Sequence, residues 1–175
     1  KALFYISRIK KNKRLGIIES INNMLNEKKS SIEKNEYEEI TDLINKVHDL
    51  TSRVRNVIED KSKEFISYCH KNIQTKEGLG YKFRISPELV MTKHWQNEGL
   101  KPLREIVISI TSLVNICDKL YKKFFDIAIE KDFDYEETAQ MSNAYLERLK
   151  RQLVSLNSVI DYKKDEYIRW IEARL

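Results

Sequence analysis

Apolar residues recur along this chain at alternating steps of three and four, over stretches far longer than an ordinary helix. From Glu36 to about Gln74 the series runs through Tyr37, Ile40, Leu43/Ile44, Val47, Leu50, Val54, Val57/Ile58, Phe65 and Tyr68/Cys69. That period is the mark of an amphipathic helix. A helix of about 38 residues would be about 57 Å long, and so long a stripe needs partners of similar length. The series lapses at Lys61, which points to a kink near residues 60–62. Pro102, a favoured first-turn residue, opens a second stripe that reaches about Lys131 through Leu103, Ile106/Val107, Ile110, Leu113/Val114, Cys117, Leu120/Tyr121, Phe124 and Ile127/Ala128. A third follows through Thr138, Met141, Tyr145/Leu146, Leu149, Leu153, Leu156 and Ile160, with Asp134 as N-cap and Glu137 at the capping-box position. Leu15–Lys28 reads as a shorter helix on Ile17, Ile18, Ile21, Met24 and Leu25, and the polar run 26–35 connects it onward.

Two stretches break this pattern. Residues 78–102 hold three of the four glycines and both prolines, and they separate two helical halves. Inside them lies an alternating run, Tyr81 to Ile85, then a turn led by Pro87 that carries His94 and Trp95. Near the end, helical periodicity in Tyr167 to Glu172 would put Tyr167, Ile168 and Ile171 on one side, whereas strand periodicity, preferred here, sets Ile168, Trp170 and Glu172 against Tyr167, Arg169 and Ile171. Pairing these two runs satisfies backbone groups that either would leave open alone. The expected fold is therefore mainly α: an elongated antiparallel helical bundle, one domain over 1–175, with a small two-stranded sheet of 81–85 with 167–172. Trp95 would pin the crossover to the bundle, and Trp170 would do the same against the sheet. Ala2 to Ile9 fits strand or helix equally on periodicity.

Composition sharpens the picture. At 41% hydrophobic and 34% charged, the chain suits long helices with one buried stripe. Chains near this length bury roughly 70% of their unfolded surface, enough for a real core. Four glycines and two prolines are too few for a sandwich, barrel or βαβ array. Cys69 and Cys117 fall on apolar stripes, as core thiols of a reducing, cytoplasmic setting do. No CxxC or Cys/His ligand spacing is present, so no metal site is expected. No apolar run approaches the ~18 residues of a membrane span. The chain opens at Lys1 and closes on Trp170-Ile171-Glu172-Ala173-Arg174-Leu175, which reads as a part of something longer.

The net charge of +5 is uneven. Residues 1–14 carry Lys1, Arg8, Lys10, Lys11, Lys13 and Arg14 with no acid, and the remainder sums to −1, read here as a balanced surface. Lys10, Lys11, Lys13 and Arg14 suit contact with a phosphate backbone, which the resemblance described below implies to be that of single-stranded DNA. They suit equally a solvated connection, or pairing with an acidic partner domain. Phe4 and Tyr5 nearby could stack on bases or fill core.

Catalytic constellations are missing from the sequence. His48, His70 and His94 have Asn45, Ser67 and Met91 three residues before them, so no Glu-x-x-His pair exists for a carboxylate-bridged metal centre. HExxH, GxSxG and phosphate-cradling glycine loops are absent too. Glu38/Glu39 and Glu136/Glu137 sit on wet helix faces. The chain is expected to carry no catalytic residue.

The crossover YKFRISPEL…HW, a long helix after it, and the closing LERLKRQLVSLNSVIDYKKDEYIRWIE together resemble the arch region of DinG-type helicases, relatives of XPD in helicase superfamily 2. Tyr167, Ile168, Arg169, Trp170, Ile171 and Glu172 match the family's aromatic-Ile/Val-Arg-Trp-Ile/Val-Glu exit strand. Tyr81 to Ile85 with Ser86-Pro87 matches its short basic strand, and Arg14-Leu15-Gly16-Ile17-Ile18 looks like the lead-in to its first arch helix. The resemblance covers the whole chain. It implies an insertion in a motor domain of an ATP-dependent 5′–3′ DNA helicase of repair or replication, with the rest of that motor as partner. ATP and Mg would act in the parent, since the nucleotide-binding motifs of the family lie outside this span.

A rival of another class is a helical scaffold that binds a protein partner along its long helices. It predicts a contiguous exposed apolar patch above about 400 Å²; the arch predicts a mostly charged exterior.

Overall fold

A computed structural model describes residues 16–72 and 92–161. Both runs of the expected sheet, 81–85 and 167–172, lie outside the described residues, as do Pro87 and Trp170. Within the described residues the fold is a mainly α helical bundle. Helix α1 spans Gly16–Glu27, α2 Lys34–Asn72, α3 Lys101–Glu130 and α4 Glu136–Ile160. A 3₁₀ turn, Lys29–Ser31, joins α1 to α2, and a π-helical turn, Trp95–Gly99, precedes α3.

The chain packs as two compact units. The first takes residues up to Leu50 and Val114–Leu149, and the second takes Thr51–Leu113 and residues from Lys150 on. In the first unit, Ile21 and Leu25 of α1, Ile40, Ile44 and Val47 of α2, Leu120, Phe124 and Ile127 of α3, and Leu146 and Leu149 of α4 form the core. Gly16 lies beside Met141, and Lys28 sits over the Phe133 ring, so α1 and α4 run antiparallel. Ser142, fully buried, donates its hydroxyl to the Thr138 carbonyl at 2.7 Å, which keeps a polar atom satisfied inside the helix. In the second unit, Val54 and Cys69 of α2 meet Trp95, Leu100, Leu103, Ile106, Ile110 and Leu113 as the buried set.

Three local expectations change. Helix α2 runs unbroken past residues 60–62. Lys61 occupies the lapsed stripe position and reaches across to Glu105 of α3 at 2.9 Å, with Glu64 also at 2.9 Å. The apolar stripe is interrupted there because an ion pair takes its place. Those two carboxylates also raise the Lys61 pKa above its ordinary value. Second, α4 begins at Glu136, and the first helical acceptor is the Tyr135 carbonyl, bonded by the Ala139 amide at 2.8 Å. Tyr135, not Asp134, therefore holds the N-cap position. Its place is set by the end of α3. Asp132 adopts φ 55°, the Phe133 amide bonds the Ala128 carbonyl at 2.8 Å and the Asp132 amide bonds Ile129 at 3.3 Å. This is a Schellman closure, with an Asp in the left-handed position that Asp and Asn tolerate best after glycine. Buried Phe133 then seals it from the core side. Third, the turn carrying Trp95 is π-helical, with the Leu100 amide bonded to the Trp95 carbonyl at 2.9 Å.

Candidate functional site

The basic run Lys10, Lys11, Lys13 and Arg14, with Phe4 and Tyr5, lies outside the described residues. The other features singled out by the sequence are placed. His48 and His70 are exposed on α2 in different units, and His94 is exposed at the π turn. Glu38, Glu136 and Glu137 are exposed, and Glu39 pairs with Lys123 across to α3. Among the described residues no three His, Cys, Asp or Glu side chains come together as a metal site, and no helix is long and apolar enough to cross a membrane.

Trp95 is the best-defined of these positions. It is 1% exposed, with Phe65 and Tyr68 of α2 at ring-centroid distances of 6.0 and 5.9 Å. The Thr92 hydroxyl accepts from the Trp95 amide at 3.2 Å and caps the turn. Tyr68 stacks on His94 at 5.3 Å, with its hydroxyl 2.6 Å from His94 Nδ1. Burial, then the charges of Cys69 and Glu98, raise the Tyr68 pKa. Gly99 makes this contact fit. A Cβ there would stand 2.7 Å from Tyr68 Cε1 and 2.9 Å from Trp95 Cε3, closer than real Cβ atoms approach. Trp95 Nε1 is buried with no hydrogen-bond partner among the described residues. The cluster joins the end of α2 to the turn before α3 and is an anchor of the second unit.

The first unit has a groove of about 540 Å³ between α2 and α3, lined by Glu39, Asp42, Leu43 and Lys46 on one side and Lys119, Lys122, Lys123 and Asp126 on the other. Four ammonium groups suggest an anion site, but three carboxylates share the walls. Lys46 pairs with Asp42 at 2.8 Å, Lys122 with Asp118 at 3.0 Å, and Lys123 with Glu39. A phosphate entering here would have to displace internal counter-charges. The groove is a salt-bridged seam.

Cys117 and Tyr121 form a buried polar pair on α3. Burial pushes the Cys117 thiol up to about 11 against a smaller opposing hydrogen bond from Tyr121. Burial first, and then Cys117 and Tyr145, raise the Tyr121 phenol as well. Both groups are neutral acids whose folded pKa exceeds the unfolded value. Their stabilisation is intact below pH 9 and is lost as pH climbs through the folded pKa, because the unfolded chain ionises first. The expected loss from Cys117 alone is roughly 2–3 kcal/mol between pH 9 and 11. Urea midpoints at pH 8 and pH 10.5 should show a steeper fall for the natural chain than for Cys117→Ala. At pH 8 the thiol should resist a disulfide reagent until urea unfolds the chain.

Comparison with protein-family models, curated proteins and solved structures finds no match to this chain.

Proposed function

We propose that this chain is a non-catalytic arch-type insertion of a DinG-like DNA helicase, which lies against single-stranded DNA while ATP and Mg act in the rest of the motor. The observation that carries this reading is the exterior. The exposed large apolar side chains among the described residues are Ile66, Ile108, Ile129, Val154 and Val159. Ile108 and Ile129 are about 31 Å apart along α3, and Val154 and Val159 point about 140° apart around α4. On α3 and α4 these exposed apolar side chains are interspersed with exposed charged and polar ones, and Leu153, Leu156 and Ile160 of α4 are half-buried.

The test is binding of the full chain to a fluorescein-labelled oligo(dT) strand by anisotropy. Replacing Lys10, Lys11, Lys13 and Arg14 with Glu is expected to weaken binding on the order of tenfold and to flatten its salt dependence. Binding indifferent to salt and to these four changes would remove the basic run from the interface.

A further inference from the structure

Grouping the described residues by unit reveals a charge separation that linear order hides. The first unit holds nine Lys/Arg against sixteen Asp/Glu, a net −7. The second holds ten against six, a net +4. Part of the second unit's positive charge is already engaged. Lys61 pairs with Glu64 and Glu105, Lys63 pairs with Glu59, and Arg104 bonds the Gln96 carbonyl. Arg53, Arg55, Lys150 and Arg151 are different. All four are exposed, and none makes an ion pair among the described residues. In sequence, α2 has no acid from Leu50 to Ile58 and α4 none from Arg148 to Ile160; Asp49, Glu59 and Glu147 stand one helical turn from Arg53, Arg55 and Arg151.

We propose that the second unit carries a single-stranded nucleic-acid contact of its own, made to the phosphate backbone by Arg53, Arg55, Lys150 and Arg151. The inference rests on the polynucleotide-binding reading above and adds a location to it. Arg53 and Arg55 lie about 200° apart around α2, flanking the buried Val54 between them. Such cations do not converge on one small anion. They suit a linear polyanion, whose condensed counterions are released phosphate by phosphate. A membrane surface fits less well. It calls for aromatic and leucine side chains exposed opposite the cations, whereas among the described residues of this unit the exposed large apolar ones are Ile66, Ile108, Val154 and Val159, on three helices.

The experiment compares full-length variants on labelled oligo(dT), each checked for retained helicity by circular dichroism. Arg53→Glu, Arg55→Glu, Lys150→Glu and Arg151→Glu together should lower affinity at least tenfold at about 50 mM salt. A control with the same charge change in the first unit, at Lys34, Lys46, Lys119 and Lys122, should lose less than about threefold. If the Glu variant fails to fold, the four Gln replacements serve instead. Four lost contacts should remove roughly 50-fold from the drop in affinity between about 50 and 200 mM salt. Equal losses for the two sets of Glu replacements would show a net-charge effect and overturn the proposal. Loss confined to the Lys10, Lys11, Lys13 and Arg14 variant would overturn it while leaving the arch reading in place. A natural chain that does not bind oligo(dT) overturns both. Equal or tighter binding to phosphatidylserine vesicles, sensitive to the same four residues, would assign the surface to a membrane and overturn the nucleic-acid ligand.

Discussion

Trp95→Ala is expected to destabilise the chain by about 3–5 kcal/mol, the range for losing a fully buried indole. Trp95 is 1% exposed and lies within aromatic contact distance of both Phe65 and Tyr68. Its removal would leave a void under a π-helical turn, a less regular segment whose position depends on side-chain packing. The void also loosens the packing at Gly99, whose missing Cβ lets both rings close on it. Trp95→Phe should be much milder than a volume count suggests. Phenylalanine keeps ring packing and removes Nε1, a buried donor without a partner among the described residues. An unsatisfied buried N–H costs roughly 1–3 kcal/mol, which offsets part of the lost area. Urea unfolding followed by far-UV circular dichroism distinguishes the cases. If Ala and Phe replacements lose the same stability, the orphan donor is of no consequence. If Trp95→Ala costs under about 1 kcal/mol, the anchor role is wrong.

Much of this bundle was legible because helix burial is written in a one-dimensional period. The stripe from Tyr37 to Cys69 lies on a single helix, and the two stripes expected to cover it appear as α3 and α4. Legibility stopped where a residue's partner lies far along the chain. Lys61 looked like a gap in the stripe, and only Glu105 opposite it explains why the helix continues. Asp134 looked like a cap, but the α3 closure at Asp132 shifts the register by one residue. Trp95 as an anchor was readable, since a lone Trp beside a breaker-rich stretch has few other uses. Its partner Gly99 was not, because nothing local says which ring will press on a glycine.

The charge separation shows the same limit in a functional feature. Outside the first fourteen residues the sequence sums to −1 and reads as balanced. That sum mixes −7 over the described residues of the first unit and +4 over those of the second, assembled from separated stretches, with +2 from the residues outside them. Arg53 with Arg55, and Lys150 with Arg151, stand almost a hundred residues apart in sequence. Helix pairing brings both stretches into one unit. A run such as Lys10 to Arg14 draws attention because its charges are contiguous, whereas charges gathered into one unit from separated stretches have no linear signature. The short acid-free windows around Arg53 and Arg151 were the available signal.

Phe124→Ala should cost about 3–5 kcal/mol, and the damage should centre on the first unit. Phe124 is fully buried on α3, and its ring meets Phe125 edge-on at 5.5 Å, while Phe125 in turn lies 6.1 Å from Tyr135 at the start of α4. This is the aromatic side of a core that α1, α2 and α4 complete with aliphatic residues. Alanine would open a cavity in the first unit's core of Ile, Leu and Phe side chains. Phe124→Leu should lose roughly 1–2 kcal/mol, because most of the volume is kept. Hydrogen exchange read by mass spectrometry gives the location. Protection should fall most in peptides from 16–50 and 114–149, and less in those from 51–72 and 92–113. The separation follows from physical continuity within each core: a void raises the free energy of the side chains that line it, and those belong to the first unit. A uniform fall in protection across both sets would show that the long helices transmit the defect along their length, and that the two units open as one cooperative structure.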